Sequence, residues 1–148
     1  MKYHVERFDD VYPEAHPLLL AHWQELNNDP GSELLSNEAL YRQAEANNGL
    51  LILTARDEGK LVGYSAIFVH QGLHNAAQKQ ATQDVFYVVP EYRGGMTGTR
   101  LIHLAEETLR VESVELVYNH CNMKNPLLGR LLEALGYKPV SVIYQRRL

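Results

Sequence analysis

The stretch Asp84-Val85-Phe86-Tyr87-Val88-Val89-Pro90-Glu91-Tyr92-Arg93-Gly94-Gly95-Met96-Thr97-Gly98-Thr99 decides how this chain is read. Asp84 to Val89 is mostly β-branched or aromatic and reads as a strand that Pro90 stops. Arg100 to Val111 carries apolar residues at helical spacing. Between the two lies a Gly-rich turn. A turn of this kind entering a helix presents backbone N–H groups without intrahelical partners, and the helix dipole adds partial positive charge. Arg93 adds a full charge beside them. This is the chemistry that holds a phosphate or pyrophosphate. Taken alone, Gly94-Gly95 is also what a plain strand-to-helix turn requires. A nucleotide P-loop is excluded because no Gly-Lys-Ser/Thr follows, and a Rossmann turn fails on glycine spacing.

Upstream, Tyr3 to Phe8 reads as a short strand. Leu19, Leu20, Trp23 and Leu26 predict a helix within Tyr12 to Asn28, with Pro13 and Pro17 pushing its regular part later. Asn37 to Asn47 reads as a second helix capped by Ser36. Leu50–Ala55 and Leu61–Val69 flank Asp57-Glu58-Gly59-Lys60, a hairpin turn. His70 to Gln78 reads as a loop and Gln80 to Val89 as the next strand. Downstream come a helix from Thr97 to Glu112, a strand from Val114 to Cys121, a helix from Asn125 to Leu135 stopped by Gly136, and a closing strand from Tyr137 to Arg146. The order β-α-α-β-β-β-α-β-α-β predicts a mixed α/β (α+β) sheet with helices on its faces.

The 148 residues fit one domain over 1–148, with no repeat or linker. Hydrophobic residues make up 45% and charged residues 22%, the balance of a globular protein. Fourteen Lys+Arg against 18 Asp+Glu give a formal net charge of -4, which argues against broad nucleic-acid binding. Cys121 is the single cysteine, so no intrachain disulfide can form and a reducing compartment is expected. Met1 to Arg7 lacks the apolar core of a signal peptide, and no apolar run approaches the ~20 residues of a membrane span. Cytoplasm is the expected location, with no membrane partner.

Motif and order together resemble the GNAT superfamily of acyl-CoA N-acyltransferases. The strand and turn from Phe86 to Gly95 are similar to its Val-x-Pro-x-Tyr-Arg-Gly segment. Leu61-Val62-Gly63-Tyr64 resembles its third strand, and Leu132-Glu133-Ala134-Leu135-Gly136-Tyr137 its late helix. Asp84 to Leu101 also resembles small acetyltransferase-like proteins encoded by bacteriophages. The resemblance implies a mostly antiparallel sheet with helices on both faces, and acetyl-CoA as acyl donor. Its pyrophosphate would rest on Arg93, Gly94, Gly95, Met96, Thr97, Gly98 and Thr99. Met96 stands where the family pattern has its middle glycine, and Gly95 would take the positive φ that such a turn needs. The pantetheine arm would bond the backbone of Val88 and Val89. Asn125 matches a cofactor-arm position, and is also a helix cap ahead of Pro126.

Acyl transfer to an amine needs a neutral nucleophile, an oxyanion stabiliser and a proton for the leaving thiolate. The family's usual acid, a late-helix Tyr, is Leu132 here. Catalytic candidates are therefore His120, Tyr118 on the same strand face, and Asp84, which simple alternation places with Phe86 and Val88. Each also reads as an ordinary packed or solvated residue. His70 and His74 read as loop residues without the ligand spacing of a metal site, so no metal is expected. The implied function is acetyl transfer from acetyl-CoA to a primary amine by direct attack, with N–H groups near Val88 polarising the carbonyl. The alternative is a catalytically silent member that binds coenzyme A or a protein partner, including a phage regulator of a host protein. The acceptor, small molecule or protein, stays open, as does oligomeric state, a homodimer included.

Overall fold

A computed structural model describes residues 1–148. Five strands form one sheet in the order β1-β2-β3-β4-β5: β1 Lys2–Glu6, β2 Leu50–Asp57, β3 Lys60–Gln71, β4 Lys79–Val88 and β5 Leu116–Tyr118. The first three pairings are antiparallel and the last, β4 with β5, is parallel. The helices are α1 Phe8–Leu26, α2 Glu38–Ala46, α3 Thr97–Val111 and α4 Leu127–Ala134. No helix is long and apolar enough to cross a membrane.

Alternation along the strands feeds two cores. Leu51, Leu53, Ala55, Val62, Ile67 and Val88 pack with Leu101, Ala105 and Leu109 of α3. Ile52, Leu61, Tyr64, Ala66 and Tyr87 pack on the opposite face with Phe8, Val11 and Ala15 of α1. The expected mixed sheet with helices on both faces is therefore present.

Several boundaries differ from expectation for physical reasons. α1 begins at Phe8, not near Tyr12, and carries Pro13 and Pro17 inside it. Its early start is secured by burial of Phe8 and by Glu45 Oε1, which accepts the Phe8 N–H at 2.7 Å. These contacts offset the helix bonds the prolines remove. Asn37, not Ser36, caps α2, its Oδ1 accepting from the Leu40 N–H at 3.2 Å. The Glu58-Gly59 turn forms as read, both residues having positive φ. β3 runs on to Gln71, so His70 lies in a strand, its Nε2 3.0 Å from Thr82 Oγ1.

The closing strand Tyr137–Arg146 does not form. β5 is only three residues long and offers little ladder to join, and Pro139 lacks an N–H. Tyr137 is half-buried, its hydroxyl donating to Glu106 Oε1 at 2.8 Å; from Lys138 on the segment is exposed, and beyond it Arg147 pairs with Asp29 of the α1–α2 connection. The observed order is thus one strand shorter than the sequence suggested.

Leu53 is fully buried in the centre of the sheet. Leu53→Ala is expected to lower the unfolding free energy by about 2–5 kcal/mol at unchanged m-value, read by denaturant titration.

Candidate active site

β4 touches β5 only through Gln80, Ala81 and Thr82, opposite Leu116, Val117 and Tyr118. Beyond Thr82 the two strands part, while β4 stays paired with β3 as far as Val88. A cleft of about 1090 Å³ occupies this splay, reaching from α1 and α2 to the start of α3 and α4.

A bulge shapes its floor. Ala66 faces Val85 and Ile67 faces Gln83, leaving Asp84 as the extra residue. Val85 and Tyr87 pack on the α1 face, whereas Phe86 and Val88 pack on the α3 face. The Asp84 carboxylate accepts the Tyr41 hydroxyl of α2, so Asp84 lies on the α1/α2 face. The expected grouping of Asp84 with Phe86 and Val88 is therefore corrected, because a bulge breaks the two-residue period. Burial, then the Asp84 carboxylate, pushes the Tyr41 phenol well above its ordinary value.

The open edge of β4 comes from register. The Val89 N–H donates to the Val62 carbonyl at 2.9 Å. Alternation then turns the Val88 N–H and C=O the other way, toward the side β5 has left. The Val88 carbonyl on that side is not unpaired as expected, since it accepts from Arg93 Nε at 2.7 Å, and the Val89 N–H is spent inside the sheet.

After Pro90–Tyr92, a single 3-10 turn, the chain enters the glycine segment. Gly94, not Gly95, takes the positive φ, at 79°. The backbone N–H groups of Gly94, Gly95, Met96, Thr97, Gly98 and Thr99 donate to no group of the chain; the first helix bond is Arg100 N–H to Met96 C=O. Met96 stands at the N-cap and has no side-chain acceptor to cover them. Gly98 lies close against α4: a Cβ there would come within 3.1 Å of Leu131 Cδ2, so that Leu131 would have to give by a few tenths of an ångström. The result is a run of free donors at a helix N-terminus, an anion site in physical terms.

Arg93 does not stand free beside that run. Its Nη1 and Nη2 donate to Glu25 of α1 at 2.9 and 2.8 Å, and its Nε donates to the Val88 carbonyl at 2.7 Å. The guanidinium also lies 5.2 Å from the Tyr87 ring centroid. Glu25 Oε1 further accepts from Asn125 Nδ2 at 3.3 Å; Pro126, not Asn125, is the N-cap of α4, and Asn125 one residue before it accepts the Leu127 N–H through Oδ1. The Arg93 hydrogen bonds hold the Glu25 carboxyl below its usual range, against burial that pushes it up.

Of the remaining candidates, His120 is exposed and lines the cleft from beyond β5, while Tyr118 is not among the lining residues. Leu132 is buried in α4, and it is Leu128 and Leu131 that face the cleft. Sequence reasoning missed His22, Glu25, Tyr41 and Tyr64, which also line it. His22 Nδ1 lies 3.2 Å from Tyr64 Oη, and its ring stacks on Tyr87 with centroids 4.8 Å apart. Burial lowers the His22 pKa; Arg93 adds to this, while Glu25 and Asp84 oppose it. The signal for His22 was its place on the α1 stripe Phe8, Val11, Ala15, Leu18, where an imidazole interrupts apolar residues at helical spacing.

Comparison with known proteins agrees with this geometry. No curated protein sequence matches the chain. Ribosomal-protein-alanine N-acetyltransferase from Brucella melitensis biovar Abortus 2308 superposes with a TM-score of 0.75 at 18% identity, over 100% of both chains. The aminoglycoside acetyltransferase meta-AAC0020 from an uncultured soil metagenomic sample gives 0.79 at 14% identity, over 99% of this chain and 95% of that one. A predicted acetyltransferase from Clostridium acetobutylicum, solved with acetyl-CoA, gives 0.72 at 15%, with the same coverage. At these identities the likeness establishes the fold. The sequence profile of the acetyltransferase (GNAT) family matches residues 10–137, and the chain therefore belongs to that family.

Proposed function

We propose that the protein is an N-acetyltransferase that moves the acetyl group of acetyl-CoA to a primary amine by direct attack. The observation that carries this reading is the run of free N–H groups from Gly94 to Thr99 beside the open β4 edge at Val88. The pyrophosphate would lie on the run and the pantetheine arm along Val88, with Asn125 across the cleft. The Val88 N–H would polarise the thioester oxygen. Amine acceptors accord with the names of the similar structures, an alanine N-acetyltransferase and an aminoglycoside acetyltransferase.

Asp84 is the carboxylate suited to hold an incoming ammonium, since it lines the cleft and forms no salt bridge within the chain. His120 on the opposite wall is suited to return a proton to the departing thiolate, in place of the tyrosine that Leu132 replaces. A covalent intermediate on Cys121 is disfavoured. Its Sγ faces the carbonyls of Asn122 and Asn125, and no hydrogen bond pairs it with a base. Buried Leu132 at the position of the usual acid favours a second reading in which cofactor binds without transfer.

Acetyl-CoA at a hundred times its dissociation constant is expected to stabilise the fold by about 2.7 kcal/mol, seen as a raised melting temperature. An unchanged melting temperature, with no heat of binding by calorimetry, refutes the cofactor assignment. Gly94→Ala places a Cβ at positive φ and is expected to lower the unfolding free energy by about 1–2 kcal/mol, read by denaturant titration without ligand. Asp84→Asn is expected to raise KM for a cationic acceptor while leaving acetyl-CoA affinity unchanged, checked by thiol-release kinetics and calorimetry. Cofactor binding without thiol release from any amine supports the second reading.

A further inference from the structure

His22 is the one imidazole held rigidly in the acceptor-side wall. It projects from α1, half-buried, between Tyr64 of β3 and Tyr87 of β4. The Tyr64 hydroxyl fixes Nδ1, and the stack on Tyr87, inclined by 26°, fixes the ring plane. Nε2 has no partner in the chain, and the residue lines the cleft. When Nδ1 carries the hydrogen and donates it to Tyr64 Oη, the Nε2 lone pair is free.

We propose that His22 is the general base for the acceptor: Nε2 takes a proton from the ammonium that Asp84 holds, freeing the amine to attack. This rests on the acetyltransferase reading above. The charged and titratable groups around the imidazole are Glu25 on its own helix, Tyr64, Asp84, Tyr87 and Arg93. Burial outweighs the two carboxylates and keeps the ring neutral at neutral pH, the form a base must have.

The step balances. The ammonium gives one proton to His22, and the amine lone pair forms the C–N bond to the thioester carbonyl. The C–S bond then breaks with its electron pair going to sulfur. The second proton lost by nitrogen ends on that thiolate, and His22 passes the first to solvent. His120 is placed differently: it is exposed, beyond β5, and no hydrogen bond orients it. Asp84 already accepts the Tyr41 hydroxyl, and a carboxylate is a weaker base than a neutral imidazole.

Thiol release is to be measured for the wild type and His22→Gln with spermidine, tyramine and a peptide beginning in alanine, and with methoxyamine, which is unprotonated at neutral pH. For a protonated amine, kcat/KM of the wild type should rise with pH through a midpoint below the ordinary imidazole value of about 6.5. His22→Gln should retain acetyl-CoA binding, abolish that acid limb, and lower the rate about 100-fold or more, while the methoxyamine rate changes far less. Tyr64→Phe, which removes only the Nδ1 partner, should shift the limb and lower kcat; it serves where His22→Gln is too unstable to assay. Equal losses with methoxyamine and protonated amines, a surviving acid limb in His22→Gln, or an unmoved limb in Tyr64→Phe overturn the assignment of His22. Cofactor binding by the wild type with no thiol release from any of these amines overturns the transferase reading itself, and the base with it.

Discussion

Everything distinctive in this molecule depends on β4 keeping one sheet partner and losing the other. Along β3 it is bonded as far as Val88; along β5 it is bonded for three residues only. A strand with a free edge exposes backbone donors and acceptors that water or a ligand must satisfy. Here that edge lies inside the fold, flanked by helices on both faces, so it is a lined cleft and not an aggregation-prone border. The bulge at Asp84 acts in the same place. It puts Asp84 and Val85 on one face in succession, so that a carboxylate enters the wall built by α1 and α2 while Phe86 and Val88 remain in the other core.

The second constraint is the uncapped start of α3. An N-cap side chain typically contributes about 1 kcal/mol to a helix, and Met96 contributes none. Omitting the cap leaves the donors from Gly94 to Thr99 free, and leaves them where the helix dipole is positive. Stability is recovered through the face behind the turn, where Thr97 and Leu101 are buried and Gly98 lets α4 approach. An anion at this end would supply what a cap otherwise supplies.

Much of the fold was legible because local chemistry and global arrangement agree. The Glu58-Gly59 hairpin, the α3 stripe of Leu101, Ala105 and Leu109, and the stop at Gly136 each follow from rules acting within a few residues. The donor run was legible for the same reason. What was not legible depends on contacts distant in sequence. The start of α1 is set by Glu45, which accepts the Phe8 N–H from 37 residues away. The face of Asp84 is set by a bulge that alternation cannot reveal. The engagement of Arg93 is set by Glu25, 68 residues earlier. The closing strand failed for the converse reason: Val140, Val142 and Tyr144 have a strand's alternation, but β5 is too short to receive them.

Glu25 deserves to be read as a crosslink across the mouth of the cleft. One carboxylate accepts from Arg93 at the β4–α3 turn and from Asn125 at the start of α4, and so joins α1 to both banks. Arg93 in turn holds the Val88 carbonyl, an acceptor on the same edge that a pantetheine arm would follow. Both partners are about a quarter to a third exposed, at 25% and 31%. Ion pairs so placed contribute on the order of 0–1 kcal/mol, since water screens them and long side chains lose entropy on pairing. A doubly charged diphosphate at Arg93 would thus compete with a weakly held carboxylate and not with a buried one. Glu25 thus ties α1 to the β4–α3 turn and to the start of α4, a tie reinforced by Asn122, whose Nδ2 donates to the Leu26 carbonyl at 2.9 Å.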